Sequence, residues 1–259
     1  MRTFTAQTIL SLAMLRPVFQ KHVTFNWLLG LSLILIFSIS RFAAVVYGLQ
    51  SGNNLYLTTL FALMIALPFV LLSAAGRRRL KIQRSSGWLP LLYSLLIGMG
   101  ISTIIYALGQ WLYGQEISNW YRYIGESYPI KIAALSEADK RIYCIVFILI
   151  GISFSPFGEE LLYRGVIHGA FEQQLGERRA AMVDSAAFAL VHLAHFGLIY
   201  HLGAWHFYPV PALLWMLCMY ATGMTFNYCK NLCGSIWGAV VCHMGFNVAM
   251  TYLIFYWIF

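Results

Sequence analysis

Long apolar runs recur along this chain, and they leave it few ways to fold. A helix that crosses a bilayer needs about 20 mostly apolar residues. Seven stretches meet that need: Asn26–Gly48, Leu55–Ala75, Trp88–Tyr113, Ile142–Gln173, Ala181–His201, Pro209–Tyr228 and Ser235–Phe259. Only 10% of the 259 residues are charged and 60% are hydrophobic, whereas a soluble domain carries about 25% charged residues. No strand-like alternation with regular turns runs through the stretches, as a membrane barrel would require. The expected fold is therefore all-α, a polytopic transmembrane helical bundle of about seven spans. The fourth stretch exceeds one crossing, so its second half is expected to emerge at or beyond the interface.

The net charge of +8 raises the question of nucleic acid, and its distribution answers it. Arg77, Arg78, Arg79, Lys81 and Arg84 crowd the short loop between the second and third stretches. Basic loops stay on the cytoplasmic side. Arg2, Arg16 and Lys21 place the N-terminus there too, and Arg178, Arg179 and Lys230 fall on the same side. The loop from Gly114 to Arg141 mixes both signs. The charge is thus a topology signal. Membrane lipids are expected partners, anionic ones included, and nucleic acid is not. The expected location is a bacterial inner or plasma membrane, with several crossings and a cytoplasmic N-terminus. Thr3–Leu15 is followed by Arg16-Pro17 rather than a small-residue cleavage site, so it reads as an interfacial helix and not a signal peptide. The five cysteines read as small apolar residues, because Cys229 and Cys233 have no second pair of matching spacing for zinc.

No repeat or linker divides the chain, which reads as a single integrated domain with two unlike regions. Residues 1–113 form an N-terminal membrane region whose three runs contain one ionisable residue, Arg41. The runs of residues 142–259 hold Glu159, Glu160, Arg164, His168, Asp184, His192, His195 and His243. Charge within a bilayer is kept where it pairs or does work. The working core is therefore expected in 142–259, with the first region packed around it.

Within Gly158-Glu159-Glu160-Leu161-Leu162-Tyr163-Arg164, Glu160 has Arg164 at i+4, a favourable helical pairing. Glu159 lies about 100° further round the helix. The spacing predicts that Arg164 neutralises Glu160 and that Glu159 points elsewhere. His192 follows Phe188 by four residues, and Asn247 follows His243 by four. Counted at about 1.5 Å per residue from the cytoplasmic ends, His192 lies roughly 16 Å deep, His243 roughly 14 Å and Glu159 about 20 Å. Glu159, His192, His243 and Asn247 are expected to converge between the midplane and the cytoplasmic side. A carboxylate there can take a proton from water, with a histidine orienting that water. A second histidine and an amide can donate to a developing oxyanion. The set suits peptide hydrolysis, and no serine triad or His-Glu-x-x-His zinc helix accompanies it.

The three motifs Glu159-Glu160-x-x-x-Arg164, Phe188-x-x-x-His192 and His243-x-x-x-Asn247, in that order, resemble the signature of the CPBP intramembrane proteases. That family is also described as CAAX-protease and bacteriocin-processing, or ABI/type II CAAX endopeptidases. The resemblance covers about Phe154–Leu253. It implies an endopeptidase in which Glu159 is the general base, assisted by His192, while His243 and Asn247 stabilise the oxyanion. Glu160 and Arg164 then position the helix, and Phe188 shapes the site. A divalent metal such as zinc, if present, would take Glu159, His192 and His243 and keep a position open for water. A metal-free glutamate mechanism needs the same residues, and is preferred because His243 with Asn247 makes a better donor pair than a ligand pair.

The expected substrate is a membrane-associated or lipid-proximal polypeptide reached from the cytoplasmic half; a prenylated one does not follow from these residues. His195 reads as a helper or a packing residue. His168, His201 and His206 fall near interfaces and are assigned no chemistry. Gly165-x-x-x-Gly169 and Gly234-x-x-x-Gly238 are expected to allow close helix packing. Two other functions fit the same buried charges. One is a non-catalytic scaffold or bacteriocin-immunity-type protein that keeps the motif helices for structure. The other is an ion-coupled transporter, which the lack of paired halves disfavours.

Overall fold

A computed structural model describes residues 13–259; the interfacial helix expected over Thr3–Leu15 falls outside them but for its last residues. Helix α1 (Trp27–Ser51) starts at Asn26, whose side chain accepts from the N–H groups of Leu28 and Leu29, and stops at Gly52 with φ 71°. Then come α2 (Leu55–Leu71), the short α3 (Ala74–Arg79), α4 (Trp88–Tyr113), α5 (Trp120–Glu126) and α6 (Glu137–Ser153). The motif region follows as α7 (Ser155–Glu160), a π turn (Leu161–Ile167), α8 (His168–Leu175) and α9 (Glu177–Val191). A hairpin of β1 (Leu198–His201) and β2 (Ala204–Phe207) leads to α10 (Pro209–Leu232) and α11 (Ile236–Leu253).

Among the described residues, five helical segments are long and apolar enough to cross a membrane: Trp27–Ser51, Trp88–Tyr113, Glu137–Leu175, Pro209–Leu232 and Ile236–Ile258. Two of the seven expected spans are not of this kind. Helix α2 has 17 residues, so it rises only about 25 Å, short of the ~30 Å hydrocarbon core. The stretch Ala181–His201 divides its apolar residues between two structures. Helix α9 ends at Val191, a 3-10 turn holds His192–Ala194, and Gly197 takes φ 123°. The chain then enters the hairpin, where His201 pairs with Ala204 across Leu202 and Gly203. Both loop residues have positive φ, 50° and 79°, the two-residue turn that matches strand twist.

The connections fall on two faces. On one, Ile236 N–H donates to the Lys81 carbonyl at 2.9 Å and Lys81 Nζ to Asn231 Oδ1 at 2.6 Å. Arg16 N–H also donates to the Leu71 carbonyl there, at 3.0 Å. This face carries the basic loop. On the other, Tyr200 N–H donates to Tyr123 Oη at 2.9 Å, and Arg122 lies 4.7 Å from the Phe259 ring centre.

Helices α4 and α11 pack backbone to backbone. A Cβ at Gly98 would collide with the Cys242 carbonyl, and one at Gly245 with the Leu95 carbonyl. Small residues at such a seam let membrane helices approach closely. Of the glycines expected to do this, Gly169 abuts Leu80 and Gly238 abuts the Cys229 carbonyl. Gly165 has only ordinary contact, with Ile82 at 3.7 Å from its Cβ direction, and Gly234 sits in a turn with φ 58°.

Candidate active site

Pro156 determines where the two glutamates sit. Proline lacks a helical N–H donor and its ring crowds the preceding turn. Helix α6 therefore stops at Ser153, and α7 restarts with Pro156 in its first turn. Glu159 and Glu160 close α7, both fully buried. The π turn that follows carries Arg164; such turns are frequent at functional sites.

Glu160 pairs with Arg164 as the i+4 spacing predicts, Nη1 to Oε1 at 3.2 Å. Arg164 continues the network: its guanidinium lies 4.3 Å from the Phe188 ring centre and its Nε 3.6 Å from Asp184 Oδ1. Asp184 in turn meets His168 Nδ1 at 2.7 Å and accepts from Asn227 Nδ2 at 2.8 Å. Lys230 Nζ donates to the Arg164 carbonyl at 2.8 Å. His168, Asp184 and Lys230 are thus structural partners of the motif helix, in a buried network whose charges balance one another.

Glu159 is not left free. Arg41 Nη2 from α1 lies 3.1 Å from its Oε1, and Ser155 Oγ donates to the same oxygen at 2.6 Å. The same Nη2 lies 3.1 Å from His195 Nε2 and 3.5 Å from His192 Nε2. Arg41 is only 2% exposed, and a buried guanidinium requires acceptors; it finds them on the motif helices. The sequence assigns no role to Arg41, in a region expected only to pack around the core, or to Ser155, which carries no motif; the structure brings both to Glu159. A lone charge in an otherwise uncharged run was the signal for Arg41.

The histidines are oriented by their partners. His192 Nδ1 lies 2.6 Å from the Phe188 carbonyl. A carbonyl only accepts, so Nδ1 bears the proton and Nε2 presents a lone pair. That Nε2 is 3.9 Å from Glu159 Oε2. His243 turns its Nδ1 to Glu160 Oε1, at 2.8 Å, rather than to Glu159. Asn247, one turn on, donates from Nδ2 to the Gly151 carbonyl at 2.8 Å. Gly151 is among the last residues of α6, where carbonyls lose their intrahelical donors.

His192, His243 and Asn247 line one cavity of about 140 Å³, together with Arg41, Ser155, Phe188 and His195. Glu159 stands directly behind Arg41 and Ser155, with Oε2 buried and without a hydrogen-bond partner. Phe188 packs its ring 4.2 Å from that of His192 and 6.0 Å from that of His243. A metal does not fit the side chains as arranged. Nδ1 of His243 is committed to Glu160, and the Arg41 guanidinium holds the cationic position between Glu159, His192 and His195. Among the described residues no group of three or more His, Cys, Asp or Glu side chains is placed to hold a metal ion.

One comparison with known families found a match. Residues 141–249 match the family described as type II CAAX prenyl endopeptidase Rce1-like, the CAAX-protease group that the three motifs resemble. The matched segment spans every motif residue from Glu159 to Asn247 and excludes Arg41. No curated protein and no solved structure matches the chain. The match together with the five apolar helices indicates a protease integral to a membrane.

Proposed function

We propose that this chain, whose residues 141–249 match the type II CAAX prenyl endopeptidase Rce1-like family, is an intramembrane endopeptidase. It hydrolyses a peptide bond in a membrane-associated or lipid-proximal polypeptide. The observation that carries the reading is the convergence of Arg41, His192, His195, His243 and Asn247 on one cavity, with Glu159 directly behind its wall. The core of the site belongs to 142–259, and the N-terminal region supplies its guanidinium.

Glu159 is the base. A separation of 3.9 Å between its Oε2 and His192 Nε2 is a distance that one water bridges. That water gives a proton to Glu159 as its oxygen bonds to the scissile carbonyl carbon, while its other O–H donates a hydrogen bond to His192 Nε2. Arg41 keeps the carboxylate compensated in a buried setting. The oxyanion is stabilised by the Asn247 amide and by His243, whose Nδ1 is held at Glu160. As the C–N bond breaks, Glu159 returns its proton to the leaving amine, and the products are an amine and a carboxylic acid, which ionises on release into water. No step passes through a metal.

The test is comparative N-terminal proteomics of membrane fractions from cells carrying the native chain or Glu159→Ala. A new N-terminus is expected only with the native chain. Its persistence with inserted Glu159→Ala protein defeats the mechanism. Intact phenotype with Glu159→Gln would instead favour a scaffold, and substrate flux in proteoliposomes without a cleavage product would favour a transporter.

A further inference from the structure

The small cavity does not end at the site. Ser155, His195, Asn247 and Met250 also line a second cavity of about 940 Å³. That volume lies at the upper end of the ~300–1,000 Å³ typical of ligand pockets. Near the site its walls are apolar: Val45 of α1, Phe61 of α2, Phe147 of α6 and Met250 of α11. Further out it is bounded by the α1–α2 turn at Gly52 and Asn54, by residues 123–133, and by the hairpin tip at His201 and Leu202. Its outer rim carries Thr58, Glu126, Ser127 and Lys131, all exposed.

Every one of those rim elements lies on the face opposite the basic loop. Gly52 follows α1, which begins on the basic face; residues 123–133 follow α4, which also begins there; the hairpin follows α9, whose start Glu177 contacts Asn231 of the basic face. The expected approach from the basic side is thus not the direction in which this cavity runs.

Building on the endopeptidase reading, we propose that the larger cavity is the substrate cleft, and that it admits a polypeptide segment from the face opposite the basic loops. With basic loops cytoplasmic, the substrate is the extracytoplasmic segment of a membrane-bound polypeptide. The chemistry of the walls suits this occupant. An apolar depth receives side chains, and a rim with one acid, one base and two hydroxyls offers polar partners to a backbone rather than one charge to a lipid headgroup.

The experiment is cysteine accessibility in sealed, right-side-out vesicles containing the full chain, with Thr58→Cys, Ser127→Cys and, on the basic face, Ser85→Cys. The native cysteines are buried or half-buried, and the native chain supplies the background. A membrane-impermeant polyethylene-glycol maleimide is expected to label Thr58→Cys and Ser127→Cys from outside, and Ser85→Cys only after permeabilisation. Each variant's cleavage, read as the new N-terminus, is compared before and after labelling. Loss of cleavage on labelling Thr58→Cys or Ser127→Cys, with none on labelling Ser85→Cys, supports the proposal. Labelling of the rim only from the basic side overturns it, as does full cleavage with the rim modified. Protection of the rim by added lipid with unchanged cleavage overturns it in favour of a lipid occupant. Absence of any cleavage product from the native chain refutes the catalytic reading separately, because labelling reports the opening without it.

Discussion

Replacing Arg41 by methionine removes a guanidinium and keeps an unbranched apolar chain in its place. Arg41 and Glu159 are 2% and 0% exposed, so solvent does not screen the pair as it does at a surface. The variant strands a buried carboxylate whose remaining short hydrogen bond comes from Ser155. Breaking a buried ion pair from one side costs about 3–5 kcal/mol. Insertion scales independently assign about 2.5–3.5 kcal/mol to an uncompensated charge at the centre of a membrane helix. The two routes meet near 3 kcal/mol, the expected loss for Arg41→Met. Glu159→Gln strands Arg41 less severely, because His195 and His192 still accept from it. Its cost is expected at about 1.5–3 kcal/mol, the range for a hydrogen bond to a charged group. The double variant has neither stranded charge, so its loss is expected to fall short of the sum by about 2–3 kcal/mol. Unfolding of purified protein by SDS titration in mixed micelles, followed by tryptophan fluorescence, measures all four corners of the cycle. Additivity within ~0.5 kcal/mol would refute the coupling, and with it the assignment of Arg41 to the site.

Glu159→Gln is expected to lower cleavage by about 10²–10⁴, the usual value of a general base. Glu160→Gln, which acts through His243, is expected to lower it by only ~10–100-fold; equal losses would erase the division between the two carboxylates. Asn247→Ala is expected to reduce kcat by about 10²–10³ with little change in KM, as for an oxyanion donor, and a pure KM effect would remove it from that role. Gly98→Leu forces a side chain into the Cys242 backbone and is expected to cost at least ~1–3 kcal/mol; an unchanged Tm in detergent would show that α4 and α11 do not pack as described.

What could be read from the chain was local. Glu160 and Arg164 are one helical turn apart, so their pairing follows from spacing alone. The depth count brought His192, His243 and Glu159 to similar levels; His192 and His243 line one cavity with Asn247, while Glu159 is not among the residues lining it. It did not show that Nδ1 of His243 turns to Glu160. That choice depends on the rotation of α11, which its seam with α4 at Gly98 and Gly245 constrains. Hydropathy also could not separate a buried helix from a helix followed by a hairpin. The punctuation was nonetheless present in Gly197 and in Leu202-Gly203. Helix α2 is shorter than its apolar run for a different reason: the run continues past Leu71, but Pro68 and the Ser73 cap of α3 turn the chain there.

Two ionised carboxylates on adjacent residues of a buried helix repel each other, and one cation cannot serve both. Successive side chains diverge by about 100°, so an arginine at i+4 that reaches Glu160 is out of reach of Glu159. The second cation has to come from another element. Among the first three apolar runs Arg41 is the one ionisable residue, and it arrives at Glu159 Oε1 with the same nitrogen that meets His195. Each glutamate therefore has its own guanidinium, and the two partners differ in kind. Arg164 is held inside a network with Asp184 and away from the cavity, whereas Arg41 lines the cavity itself. Glu160 is consequently bound to the fold through Arg164 and reaches the cavity only through His243. Glu159 Oε2 lies 3.9 Å from His192 Nε2, with a cation already in place to compensate its charge. The proposed division of base from support thus rests on where the two arginines come from, and the N-terminal region enters the cavity through one of them.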